Sequence, residues 1–132
     1  MLEVARQLVA EAVALQPAPV LLAAVPAGEQ LPEDLLRQLE LAAERLPLVA
    51  LLGAGRCPPG VRGGQLAAGD PARADLAVAV VSPYYAGALA ARPPLGHDAA
   101  GAYDGALTFS RDAAMHAAIT LLDRVPPTTV RL

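Results

Sequence analysis

Three short, unbroken apolar runs place the strongest constraint on the fold of this chain. They are Val20 to Val25, Leu48 to Leu52 and Leu76 to Val81. Each run has the length of a β-strand and is far shorter than the roughly 20 residues that a membrane-spanning helix needs. A strand whose side chains are apolar on both faces has to be covered on both of them. The runs therefore predict a sheet that is packed with helices in a three-layer or a lopsided two-layer sandwich.

Helical spacing of apolar residues marks the segments that cover this sheet. Residues 2–15 and 32–45 carry apolar stripes at helical spacing, with charged residues on the other faces. Because the second helix lies between two buried runs, the order strand, helix, strand predicts a right-handed parallel βαβ unit. Ser110 is placed to cap a third helix, which Pro126 and Pro127 end.

The second half of the chain reads as antiparallel strands. Residues 76–81 and 84–91 are separated only by Ser82 and Pro83, which predicts a hairpin. Residues 102–109 predict a last strand and residues 61–67 a short edge strand. The expected fold is a single α/β domain with a mixed five- or six-stranded sheet and three helices, parallel in its N-terminal βαβ unit and antiparallel towards the C-terminus. A length of 132 residues fits one such domain.

Charge and composition argue against several classes of partner. The net charge is only −3, and the ten basic residues, all of them arginine, are scattered along the chain. Because the chain has neither a basic stripe nor many aromatic side chains, we expect no direct binding of nucleic acid. A single cysteine and the lack of a leader-like or membrane-spanning pattern predict a cytoplasmic protein that does not insert in a membrane.

The reactive side chains show no catalytic pattern. His97 and His116 have no partners at metal-ligand spacing, so we expect no metal and no cofactor. Cys57 lies in a Pro/Gly loop without an adjacent histidine. Asp98 and Asp104 flank a polar loop that fixes no separation between them. No catalytic residue is therefore predicted, and the chain is not expected to be an enzyme.

The aromatic residues and nearby arginines are the best candidates for a binding surface. They crowd the strands that close the sheet, where they either pack the core and hairpin or form the wall of a ligand or partner site. The candidate residues are Tyr84, Tyr85, Arg92, Tyr103, Phe109 and Arg111.

Three ordered stretches resemble the DICT domain, a sensory module associated with diguanylate cyclases and two-component proteins. Residues 59–71 are similar to the family's P-G-V-R-G segment and its following Asp-Pro turn. Residues 78–92 are similar to its hydrophobic strand, aromatic pair and L-x-A-R ending. Residues 107–125 are similar to its T-x-x-R-D turn into an Ala-rich helix. The chain departs from the family at Leu76, where tryptophan is common.

The resemblance implies a regulatory role for residues 1–125. Residues 126–132, which begin with the two prolines that end the last helix, predict a flexible tail. Such a domain is expected to bind a small ligand or a partner protein and to signal to a separate output protein, such as a diguanylate cyclase, a histidine kinase or a transcription regulator. Self-association into a homodimer is left open. Two alternatives remain: a small cytoplasmic hydrolase or transferase, and a purely structural dimerisation domain.

Overall fold

The computed structural model describes residues 2–26, 30–92 and 104–127. These residues form three α-helices, one 3₁₀ helix and six strands. The α-helices are α1 (Leu2–Ala14), α2 (Glu33–Ala43) and α3 (Arg111–Leu122), and the 3₁₀ helix is Pro71–Ala74. The strands are β1 (Val20–Ala24), β2 (Leu48–Leu52), β3 (Arg62–Gly64), β4 (Leu76–Val81), β5 (Ala86–Arg92) and β6 (Asp104–Thr108).

The six strands form one mixed sheet in the order β3-β2-β1-β4-β5-β6. Strands β1, β2 and β3 run parallel to one another. Strand β4 pairs antiparallel with β1, and β5 and β6 continue this antiparallel half. The predicted α/β fold, with its parallel βαβ unit and antiparallel C-terminal strands, is confirmed and the sheet has six strands.

The boundaries of three strands differ from the prediction for local reasons. Strand β3 is shorter than residues 61–67, because glycines at 63 and 64 give it little to pack. Strand β5 begins at Ala86, because Tyr84 and Tyr85 belong to the hairpin turn that the Ser82 N–H closes on the Tyr85 carbonyl oxygen at 2.8 Å. Residues 102 and 103 of the predicted last strand lie outside the described residues.

Helices cover the two faces of the sheet unequally. Helices α1 and α2 pack on one face, which we call the α1/α2 face, whereas α3 is the α-helix that the described residues place on the other, the α3 face. Buried residues of the α1/α2 face are mostly leucine and valine, with Leu21, Val49, Leu51, Val80 and Leu89 supplied by the strands. Buried residues of the α3 face are mostly alanine: Ala24, Ala50, Ala79, Ala86, Ala88, Ala114 and Ala118. Strand β4 shows the contrast most clearly, since Val78 and Val80 face α1 and α2 whereas Ala77 and Ala79 face α3.

Helix α3 is fixed at both of its ends. The Ser110 hydroxyl accepts a hydrogen bond from the Ala113 N–H, which confirms the predicted cap. Beyond the other end, Arg124 binds both carboxylate oxygens of Asp70 through Nε and Nη2, at 2.6 and 3.0 Å. Asp70 also accepts the Ala72 N–H and so caps the 3₁₀ helix. The end of α3 is therefore joined to the segment that leads into β4.

Gly53 ends β2 in a conformation that other residues adopt with strain. Its φ is 80°, and a β-carbon there would lie 2.8 Å from the Val25 carbonyl oxygen. The loop that follows leads to β3 instead of a helix, as expected for turn glycines. Among the residues described, no helix combines the length and apolar character needed to cross a membrane. The predicted boundary at residue 125 stays a prediction, since residues 128–132 lie outside the described part.

Candidate functional site

A groove of about 420 Å³ runs beside α3 over the antiparallel half of the sheet. We call it the α3 groove. Its floor comes from β4, β5 and β6, and its wall comes from the side of α3 that points towards β6. The floor residues are Ala77, Ala88, Ala90, Ala106 and Thr108, and the wall residues are Ala113, His116, Ala117, Thr120 and Leu121. The groove exists because alanines on both sides leave space that larger side chains would fill.

Polar groups of the α3 groove gather towards the end where β4 begins. Arg92 donates from Nε to the Asp75 carboxylate at 3.1 Å, and both residues line the groove. The Arg92 side chain remains 63% exposed, so its guanidinium group is open to solvent. His116 lies on the exposed side of the helical wall. The groove thus combines an apolar floor with charged and polar groups at its edge.

The clamp between Arg124 and Asp70 closes the same end of the groove. Arg124 lines the groove, and its Nη1 also donates to the Thr120 carbonyl oxygen at 2.5 Å. The guanidinium of Arg124 holds the pKa of Asp70 below its usual value, with a further contribution from the Ala72 N–H. The clamp therefore positions Pro71 and Ala72, which form the end of the groove.

The predicted aromatic residues lie elsewhere, around the hairpin turn between β4 and β5. The Tyr85 hydroxyl donates to Glu11 Oε2 of α1 at 2.7 Å. The Tyr85 ring meets the ring of Phe109 edge-on, with 6.1 Å between centroids. Tyr85 packs against the leucine and valine cluster of the α1/α2 face. These two aromatics therefore lie on the opposite side of the sheet from the α3 groove.

Tyr85 is held in its protonated form. Burial of the phenol, together with its hydrogen bond to the Glu11 carboxylate, raises the pKa of Tyr85 to about 12. A tyrosine that donates to a carboxylate ties α1 to the hairpin and keeps its proton at neutral pH. The hydrogen bond from Tyr85 to Glu11 is therefore a structural contact between two elements that are far apart in sequence.

The other predicted site residues divide between these two regions. Tyr84 is 87% exposed at the tip of the turn, and Arg111 donates from Nη1 to the Ser82 carbonyl oxygen at 2.9 Å. Tyr84, Tyr85, Phe109 and Arg111 thus surround one turn, while Arg92 alone lines the α3 groove. Tyr103 lies outside the described residues. The assignment of these residues to a ligand or partner surface stays a prediction.

Other reactive residues of the sequence do not meet in the described structure. The Cys57 thiol donates to the Val61 carbonyl oxygen at 3.1 Å, and burial raises the pKa of Cys57, which disfavours the thiolate. Asp104 is exposed at the start of β6. His97 and Asp98 lie outside the described residues. Within the described ranges, no group of three or more His, Cys, Asp or Glu side chains is arranged to hold a metal ion.

Comparison of the chain with protein-family models, with curated proteins and with solved structures finds no match.

Most of the α3 groove was missed by reasoning from sequence. In the sequence, His116 stands out only as a metal-ligand type without partners, and the alanines of β4, β5 and α3 form no motif. A signal was present, because β5 has alanine at the same-face positions 86, 88 and 90, in a strand whose only larger residues are Leu89 and Arg92, and alanine recurs on α3 at 113 and 117. Alternate small residues on a strand, opposite small residues on a helix, indicate space between the two elements.

Proposed function

We propose that this chain is a regulatory sensory domain that binds a small molecule in the α3 groove and passes the signal to a separate output protein. The observation that carries the proposal is the groove itself, with its alanine floor and its polar end. Ligand pockets commonly enclose roughly 300–1,000 Å³ and combine apolar walls with a few polar groups. The groove's volume of about 420 Å³ falls in this range.

The chemistry of the groove favours a small, flat, largely apolar ligand with an anionic group at one end. Methyl groups of alanine offer a shallow apolar floor that suits a ring or a short chain. Arg92, with its exposed guanidinium, would meet a carboxylate or phosphate beside the 3₁₀ helix. Asp75 already neutralises part of the Arg92 charge, so the apolar body of the ligand supplies most of the affinity.

Binding in the groove would reach other parts of the chain through α3. The ligand would contact Thr120 and Leu121 on the helix and Pro71 ahead of β4. The clamp of Arg124 and Asp70 joins these two segments. From there the chain continues to Pro126, whose carbonyl oxygen accepts a hydrogen bond from the Arg62 side chain of β3. A change in the width of the groove would therefore alter both the end of α3 and the far edge of the sheet.

The resemblance to DICT domains supports this proposal through the position of its motifs. Residues 78–92 supply most of β4 and β5, which form the floor of the groove, and residues 107–125 supply the end of β6 and all of α3. The proposed output protein is a diguanylate cyclase, a histidine kinase or a transcription regulator. A cytoplasmic location is part of the same proposal.

A binding screen with paired probes tests the proposal. The probes are a set of small aromatic carboxylates and their uncharged amides, and binding is measured by thermal shift and by ¹H–¹⁵N NMR. Ala117→Leu should fill the groove and abolish binding, since Ala117 lies in its helical wall. Ala10→Leu makes the same chemical change on the exposed surface of α1 and should leave binding unchanged.

The carboxylate and amide probes separate the contribution of the alanine floor to binding from that of the Arg92 charge. Carboxylates should bind more tightly than their amides, and Arg92→Gln should reduce this preference. Failure of every probe to bind, or equal binding to Ala117→Leu and the unaltered chain, would refute the proposal.

A further inference from the structure

Strand β6 forms one edge of the sheet in the described structure. The strand order ends at β6, and residues 104–107 are exposed. Natural edge strands are usually protected by charged side chains, proline, bulges or short length. The opposite edge, β3, has three residues and begins with Arg62. Strand β6 has five residues, no proline and a charge only at Asp104, so it lacks most of this protection.

The hydrogen-bonding phase of the sheet can be followed from the hairpin turn. Because the Ser82 N–H donates to the Tyr85 carbonyl oxygen, these two residues form a hydrogen-bonded pair. Bonded and non-bonded pairs alternate along an antiparallel ladder. Counting along β4 and β5 from this pair, Leu89 directs its N–H and C=O groups towards β4, and Ala90 directs its own towards β6.

The same phase determines which groups of β6 point away from the sheet. Ala90 pairs with Ala106, so Ala106 uses its N–H and C=O groups inside the molecule. The residues on either side of it, Gly105 and Leu107, therefore direct theirs towards the open edge. These groups can bond a further strand without disturbing the pairing of β6 with β5.

We propose that two copies of this chain associate by antiparallel pairing of β6 with β6 of the partner, centred on Ala106. In this register Gly105 faces the partner's Leu107, and Leu107 faces the partner's Gly105, so the outward groups of both strands are satisfied. Leu107 is 46% exposed and would lie over a glycine that has no side chain. Asp104 faces the partner's Thr108, so no like charges oppose each other.

A second copy fits this edge better than an unrelated strand because the surface complements itself. The large residue and the small residue lie at equal distances on either side of the central alanine, as two-fold symmetry requires. Gly105 is fixed by the chain's own packing, since a β-carbon there would lie 2.8 Å from the Ala91 β-carbon. The space that receives the partner's Leu107 is therefore a permanent feature of the strand.

The pairing would also complete the α3 groove. A two-fold axis perpendicular to the sheet places the α3 helices of both copies on the same face. The open side of each groove, at Ala106 and Thr108, would then adjoin that of the partner. The partner's β6 would extend the floor of each groove, and the two α3 helices would form its opposite walls.

Molecular mass in solution tests the inference directly. Light scattering after size exclusion and sedimentation velocity should show a dimer whose population rises with protein concentration. Leu107→Pro removes an outward N–H group that the pairing with β5 does not use, so the variant should fold and be a monomer. Leu107→Ala keeps this N–H group and serves as the matched control, with a weakened dimer expected.

A second variant protects the test against misfolding. If circular dichroism shows that Leu107→Pro is unfolded, Leu107→Lys retains the complete backbone and places the type of charge that protects natural edges. A monomeric wild-type chain at about 1 mM, where even weak dimers are populated, overturns the inference. Equal dimerisation of the wild type and a folded Leu107→Pro or Leu107→Lys variant overturns it as well, because the interface would then lie elsewhere.

Discussion

The two faces of the sheet are built from the same strands but have different properties. On the α1/α2 face, leucine and valine from two helices and the sheet interlock and leave little space. On the α3 face, one helix lies on a floor that consists mainly of alanine. Burial of apolar area stabilises a fold in proportion to that area, so the first face contributes more to stability. The second face contributes less and contains the α3 groove, so the two faces of one sheet differ both in packing and in the space that they leave.

The largest expected effect comes from truncating a neighbouring residue on each face of β2. Leu51 faces α1 and α2 and Ala50 faces α3, and both are fully buried. Leu51→Ala should lower the free energy of unfolding by about 2–5 kcal/mol because it leaves a cavity. Ala50→Gly should lower it by only about 1 kcal/mol. Urea unfolding at neutral pH measures both, and equal losses would contradict the contrast between the faces.

A smaller effect is expected from the clamp that holds α3 at the end of its face. The pKa of Asp70 is lowered mainly by Arg124, so the folded chain binds this proton more weakly than the unfolded chain. The resulting stability is complete above about pH 4, the usual pKa of an unfolded aspartate, and is lost as the pH falls through the folded pKa. Asp70→Asn should lower the melting temperature by a few degrees at neutral pH.

The control for the clamp is its pH dependence. Asp70→Asn should flatten the acid side of the stability curve, and Arg124→Gln, which removes the partner that lowers the pKa of Asp70, should flatten it to a similar degree. An acid limb in Asp70→Asn as steep as that of the wild type would show that the ion pair contributes no stability.

The third effect, of about the same size as that of the clamp, concerns Tyr85, which joins α1 to the hairpin on the opposite face. Tyr85→Phe removes one partly buried hydrogen bond to Glu11 and should cost about 1 kcal/mol. The pKa of Tyr85 is about 12 in the folded chain, against about 10 when unfolded. This contribution is therefore complete below about pH 10 and is lost as the pH rises towards 12.

Ultraviolet titration of the phenols checks the assignment of Tyr85. The absorbance change near pH 12 should disappear in Tyr85→Phe and move to lower pH in Glu11→Gln, since the carboxylate raises the pKa. Tyr84→Phe, a substitution at an exposed neighbour, should keep the late titration. A titration curve that ends well below pH 12 in the wild type would contradict the contact.

Local patterns in the sequence predict the elements of this fold but not the contacts that define its site. Continuous apolar runs predict β1, β2 and β4 because burial on both faces leaves a direct mark on composition. The ion pair between Asp70 and Arg124 joins residues that are 54 positions apart, so no local periodicity of the sequence indicates it. The α3 groove depends on which face α3 occupies, and helical spacing alone does not specify that choice.

Arg92 combines a position that the sequence predicts with an ion pair that only the tertiary structure defines. Its position at the end of a strand was visible in the sequence, so it was a candidate for a binding surface. Its ion pair with Asp75 follows from the antiparallel pairing of β4 with β5, which brings the start of one strand beside the end of the other. Tyr85 does not join it because the two residues are seven positions apart, and side chains at odd spacing along an extended segment point to opposite faces of the sheet.

The alanine floor has a consequence for how readily the shape of the α3 groove could change during evolution. Alanine has no rotatable side chain, so enclosing it costs no side-chain entropy and its position is set by the backbone alone. Each exchange of one methyl group for a longer side chain would reshape the space without rearranging neighbours. A lineage of such chains could therefore change the shape and polarity of the α3 groove in single mutational steps while the leucine and valine layer preserves the scaffold.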